Sequence, residues 1–250
     1  MPMIVNIQGS FQLPDPYQKL VAALEAKQYH VIPPQLPSLT DQDEPDFGSK
    51  DLKTDAIVVR DVIRRLVIEE EKPVVVVMHS YGGLVGIEAV TEDLAWTTRA
   101  SLGLKGGVIH LFFYAAFVLP KGQSVLGAYG EGPSNIIKPG GRFTIKDAAK
   151  ILYSDLPAEE AEYWESKVVD QSWAVQTTEI TQDAYRDVPS TYVVCEKDKG
   201  PPPQAQEMWA LASNSRVLRL DSGHSPMLSR TEELVDLIDE AITKAVESLS

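Results

Sequence analysis

The run "VVVVMHSYGGLVG", Val74 to Gly86, carries four consecutive valines, breaks at His79-Ser80-Tyr81 and a pair of glycines, then resumes in apolar residues. A strand with no polar alternation must be buried on both faces, which places it in the middle of a sheet covered by helices on each side. The break requires a sharp strand-to-helix turn with Ser80 at its apex. Such a turn exposes the serine hydroxyl above the sheet edge and points the backbone N–H of Tyr81 at any oxyanion formed there. Its usual form is Gly-x-Ser-x-Gly. Gly82 supplies the second glycine, whereas Met78 occupies the place of the first, so its side chain must point into room that other residues vacate.

The rest of the chain supports that sheet. Short β-branched runs alternate with amphipathic segments, the pattern of a mostly parallel sheet with helices on both faces. Met3 to Ile7 reads as the first strand, and Asp15 to Gln28 as a helix with Asp15 capping ahead of Pro16. "YHVIPP" is a second strand, and the polar, turn-rich Pro37 to Asp51 is expected to be a surface loop outside the core. Apolar positions between Leu52 and about Glu70 fall on one side of a helix, which Pro73 stops. "GVIHLFFYAAFVLP", Gly107 to Pro120, is a buried strand and its exit, too short for the roughly 20 residues of a membrane span. Two more strands are expected at Thr191 to Cys195 and from Arg216, with a last helix from Arg230 to about Glu247. A chain of 250 residues, 44% hydrophobic, can bury one large core, so one main domain is expected.

A net charge of −13 repels nucleic acid phosphates and anionic lipid headgroups, which excludes polyanions as expected partners. The single cysteine, Cys195, rules out an internal disulfide framework, and the opening "MPMIVNIQGS" lacks the features of a secretory signal, so a cytoplasmic home is expected. No metal cluster, phosphate-cradling loop or dinucleotide fingerprint is present in the sequence; "GLKGG", Gly103 to Gly107, reads as a turn before a strand. No cofactor and no metal are therefore expected, and the chain is expected to be a monomer or homodimer.

A serine is a poor nucleophile unless a base, itself oriented by an acid, takes its proton. Of the four histidines, His110 lies mid-strand among apolar residues, His30 precedes a buried strand, and His79 sits in the turn with its side chain directed away from Ser80, as a packing residue. His224, in the "SGHSP" loop after a strand, remains as the general base. For the acid, Asp198 competes with Glu196, Asp221 and Asp155. Glu196 lies too near its strand and Asp221 too near His224 in sequence, so Asp198 is favoured on placement.

With these residues in view, the chain resembles the α/β-hydrolases, and within them is similar to the plant methylesterase and hydroxynitrile lyase group. The likeness rests on "NIQGSFQLPDPYQKLVAALEAKQYHVIPP", "VVVVMHSYGG", "FFYAAFVLP", "YVVCEKDKGPPPQAQEMW" and "DSGHSPMLSRTEELVDLI". It implies an α/β fold, a mostly parallel central sheet flanked by helices, with a helical cap inserted after the sixth strand. Residues 1–120 and 189–250 would form the core and 121–188 the cap. The family completes its oxyanion hole with a backbone N–H just after a His-Gly pair; here the pair is Gln8-Gly9 and the donor Ser10, beside Phe11. Lyase members place a lysine directly after the catalytic histidine, where this chain has Ser225, which favours the esterase branch.

The reading is a serine hydrolase that cleaves a small carboxylic ester or lactone through Ser80, His224 and Asp198, with amides of Ser10 and Tyr81 holding the oxyanion. Phe11, Tyr129, Tyr153, Trp164 and Trp173 are the candidate walls of a pocket for a small apolar ester-like substrate. Two alternatives use the same scaffold: lyase, cyclase or isomerase chemistry on a small natural product, and a small-molecule receptor.

Overall fold

The computed structural model describes residues 1–249. Nine strands run in chain order: β1 (Met3–Ile7), β2 (His30–Ile32), β3 (Pro73–His79), β4 (Gly107–Tyr114), β5 (Asn135–Lys138), β6 (Arg142–Ile145), β7 (Gln171–Ser172), β8 (Ser190–Cys195) and β9 (Arg216–Leu220). Six of them form one sheet in the order β2-β1-β3-β4-β8-β9, with every neighbouring pair parallel. The valine run is β3, and from Val74 to His79 it is buried throughout, as is all of β4 beside it. Parallel pairing sets every carboxyl end on one edge, so the loops after β1, β3, β4, β8 and β9 converge there.

Helices cover the sheet, the outer ones through an apolar stripe and Gly82–Ala89 buried on every side. In Thr231–Glu247 the buried residues are Leu234, Val235, Ile238, Ala241, Ile242 and Ala245, a helical period, and this helix packs against Gln18–Ala26. Leu52–Arg64 packs in the same way on Gly82–Ala89, the helix that follows the serine turn. Among the described residues no helix is long and apolar enough to cross a membrane.

Three expectations need correction. The first helix begins as a 3-10 turn at Asp15–Tyr17, and Asp15 does not cap it; the tighter turn carries Tyr17 inward to a buried position. Pro37 to Asp51 is not merely a surface loop. It contains helical turns at Pro37–Thr40 and Phe47–Ser49 and buries Ser38, Leu39 and Phe47, the last beneath the Arg142 guanidinium. The segment 121–188 leaves the sheet after β4, the fourth strand of this chain rather than the sixth. It is also mixed, with β5, β6 and β7 forming an antiparallel sheet among short helices. The reason is local: Pro139-Gly140-Gly141, with both glycines at positive φ, closes a hairpin between two β-branched runs.

Candidate functional site

Ser80 follows β3 at φ 51°, a left-handed backbone that is rare for a residue with a side chain and costs about 1–3 kcal/mol. The turn is held by close packing on its far side. A Cβ added to Gly82 would lie 2.6 Å from the Ile7 carbonyl oxygen and 2.8 Å from that of Gln8, so no larger residue fits between helix and β1. Met78, in the place of the usual first glycine, is fully buried. Its room comes from Gly86, where an added Cβ would overlap the Met78 sulfur. The sequence thus carries its own compensation eight residues downstream.

The structure brings Ser80, His224 and Asp198 together from three separate loops. His224 Nε2 lies 3.1 Å from Ser80 Oγ, and His224 Nδ1 lies 2.8 Å from Asp198 Oδ2. An ionised carboxylate only accepts, so Nδ1 carries the ring proton and Nε2 is left to accept from the serine hydroxyl. Asp198 is buried and receives two further donors, Gln206 Nε2 at 2.8 Å on Oδ2 and the Gly200 N–H at 2.8 Å on Oδ1. The competing acids are engaged elsewhere: Glu196 faces Arg219 and Asp221 pairs with Lys197, both at the surface. Asp155 grips the His224 loop by its backbone, accepting from the Gly223 N–H at 2.6 Å and the Ser229 hydroxyl at 2.7 Å.

Below the serine lies a buried polar layer that sequence reasoning missed. His79 stacks on Tyr114 with ring centroids 4.8 Å apart, and its Nε2–H donates to the His224 carbonyl at 2.8 Å. Nδ1 then faces the Tyr17 hydroxyl at 2.7 Å, and that hydroxyl also reaches Gln12 Oε1 at 2.6 Å and accepts from the Gly9 N–H at 2.8 Å. Burial, and after it the neighbouring His224, push the His79 ring well below the ordinary histidine range, which keeps it neutral. His79 is therefore more than packing: it links the loop after β1 to the loop carrying His224. His110, by contrast, is a core residue bonded to the Thr191 hydroxyl at 2.9 Å, and His30 is exposed at the start of β2.

A cavity of about 430 Å³ opens over Ser80 and His224, a size suited to a small organic molecule. Ser10 and Tyr81 line it, and neither backbone N–H has an acceptor among the described residues. Of the expected aromatic walls, Phe11 and Tyr129 line the cavity; Tyr153, Trp164 and Trp173 do not. Tyr153 is buried with its hydroxyl on the Gln12 amide, Trp173 packs edge-on behind Phe143, and Trp164 lies against Tyr163. The places expected of them are taken by Phe117, Phe143 and Trp209. Phe117 is fixed by its own N–H, which donates to the Ser80 carbonyl at 3.0 Å, and its ring lies 4.8 Å from that of Trp209. Gln176 lines the same cavity, is 9% exposed, and its side-chain amide has no partner among the described residues.

Comparisons with known proteins bear on the family and the fold. The model of the alpha/beta hydrolase family matches residues 8–237. A fungal protein named alpha/beta hydrolase nvfD, from Aspergillus novofumigatus, is 28% identical over 98% of both chains. Among solved structures, the pyrethroid hydrolase PytH superposes with a TM-score of 0.76 at 18% identity over 99% of each chain. A methylesterase, MES16 from Arabidopsis, gives 0.72 at 19% identity, covering 97% of this chain and 99% of that one. At those identities the two structures speak for the fold alone, whereas the family model spans most of the sequence. The chain belongs to the alpha/beta hydrolase family.

Proposed function

We propose that the protein hydrolyses a small carboxylic ester or lactone, with Ser80 as nucleophile, His224 as general base and Asp198 as the acid that orients it. His224 Nε2 takes the Ser80 proton as Oγ attacks the substrate carbonyl. The amides of Ser10 and Tyr81 hold the oxyanion, and His224 then returns its proton to the leaving alcohol. Water, activated by the same nitrogen, attacks the acyl-enzyme and frees the acid. Residues 121–188 act as a cap that closes the apolar cavity over these groups. In that cavity, aromatic rings on the loops after β1 and β4 flank the nucleophile, which suits a substrate with apolar groups on both sides of its carbonyl.

The observation that carries this reading is the unbroken hydrogen-bonded chain from Asp198 through His224 to Ser80, at 2.8 and 3.1 Å, at the floor of an open cavity. Ser225 stands where a lysine would assist cyanide release and is buried, which argues against cyanohydrin cleavage. Turnover of p-nitrophenyl acetate by the wild type, lost in Ser80→Ala, is the expected result. Equal turnover in the two proteins refutes it. A panel of small esters and lactones then defines the substrate.

A further inference from the structure

Asp55, on the helix Leu52–Arg64, is a carboxylate with no exposure to solvent and no cation among its hydrogen-bond partners. A lone carboxylate is costly to keep in such a place unless donors surround it. Three do: the Ser38 N–H at 2.9 Å, the Ser38 hydroxyl at 2.6 Å and the Tyr81 hydroxyl at 2.8 Å. Ser38 Oγ in turn accepts from the Gln171 side chain of β7 at 3.0 Å. A contact with Tyr81 matters because its own backbone N–H lines the cavity directly after Ser80. With Ser80 at φ 51°, the peptide that follows stays in place only if its surroundings hold it. The Tyr81 ring is 2% exposed, so a buried hydrogen bond at its far end pins the side chain and, through it, the backbone.

We propose that Asp55 is a positioning residue: by holding the Tyr81 hydroxyl it keeps the Tyr81 amide aimed at the oxyanion, and through Ser38 and Gln171 it ties that amide to the inserted segment. This rests on the hydrolase reading above. Burial pushes the Asp55 carboxyl up to about 7, against the pull of its donors from Ser38 and Tyr81. Burial, and after it Asp55, raise the Tyr81 phenol well above its ordinary range, so it stays a donor. The titratable groups facing Asp55 are Tyr81 and Asp51; Ser38 and Gln171 do not titrate.

The test compares Asp55→Asn, Tyr81→Phe and the double variant, each on p-nitrophenyl acetate, with Ser80→Ala as background. Tyr81→Phe removes only the hydroxyl that Asp55 holds; the aromatic ring and the backbone N–H are retained in the chain, and the amide loses its anchor. Each single variant is expected to lose about ten- to a hundredfold in kcat, a share of the hundredfold or more that a missing oxyanion donor costs. KM should stay within about twofold, as for an interaction made only in the transition state. The double variant should be no slower than the slower single one, because the two groups act as a unit. The proposal is overturned by a single variant that keeps wild-type kcat, by losses that multiply in the double variant, or by losses that fall on KM. If Asp55→Asn fails to fold, the kcat of Tyr81→Phe decides alone. A wild type without Ser80-dependent turnover overturns the hydrolase reading and this one with it; normal turnover with unaffected variants overturns only this one.

Discussion

Replacing Gly86 with alanine tests how the serine turn tolerates a methionine two residues before Ser80. A Cβ at position 86 would overlap the Met78 sulfur, stand 2.9 Å from its Cγ and 3.2 Å from Ile7 Cδ1. Alanine in a helix gains about 1 kcal/mol over glycine, whereas forcing a methyl into a filled core costs about 1–3 kcal/mol. Gly86→Ala alone should therefore destabilise by up to about 2 kcal/mol. Met78→Ala alone should cost about 2–5 kcal/mol through the cavity it leaves. In that background the overlap is gone, and Gly86→Ala adds helix propensity and refills part of the void, for a gain of about 1–2 kcal/mol. The cycle thus predicts a favourable coupling of about 1–4 kcal/mol between the two positions. Urea unfolding of the four proteins, followed by fluorescence of the four tryptophans, measures it directly. Effects that add to within about 0.5 kcal/mol would refute the claim that Met78 occupies space released by Gly86.

Other expectations follow from single side chains. Asp198→Asn should lower kcat by about a thousandfold or more, because an amide facing His224 Nδ1 favours the wrong ring tautomer; a loss under tenfold would remove Asp198 from the proposed role. His110, held at about 4 by burial against an unfolded value of 6.5, should make the fold less stable as pH falls from 6.5 to 4. That contribution is fully present above 6.5 and declines by about 3 kcal/mol on the way down, since each pKa unit is about 1.4 kcal/mol. Urea midpoints at several pH values should show a shallower decline in His110→Gln than in the wild type, and parallel declines would contradict it. Gln176→Leu should lower KM for purely apolar esters and raise it for esters bearing a second carbonyl or hydroxyl; equal shifts in both would show that the amide does not read the substrate.

Much of the candidate site is legible in the chain because three of its members sit at strand ends whose order a parallel sheet fixes. An all-apolar β3 stopping at Ser80, β8 leading to Asp198 and β9 leading to His224 need no knowledge of packing. The supporting layer was illegible for the opposite reason. Asp55 and Tyr81, or Tyr17 and His79, are joined only through the folded core, and no spacing along the chain announces them. Composition also misled at the pocket: Tyr153 and Trp173 belong to the right segment, but which face of a short helix or turn meets the cavity depends on the hairpin β5-β6, hidden in sequence by its short strands and glycines. Pro37 to Asp51 looked like loop because its polar residues outnumber Leu39 and Phe47, which are buried only once Arg142 and β7 cover them.

The central claim is that one serine is made reactive by one histidine. A fluorophosphonate that forms a covalent bond with activated serines, followed by mass spectrometry of the digested protein, examines it most directly. A single adduct on Ser80, absent in Ser80→Ala and much slower to form in His224→Ala, is the predicted result; an adduct on another residue, or one that forms on Ser80 at the same rate without His224, would contradict it.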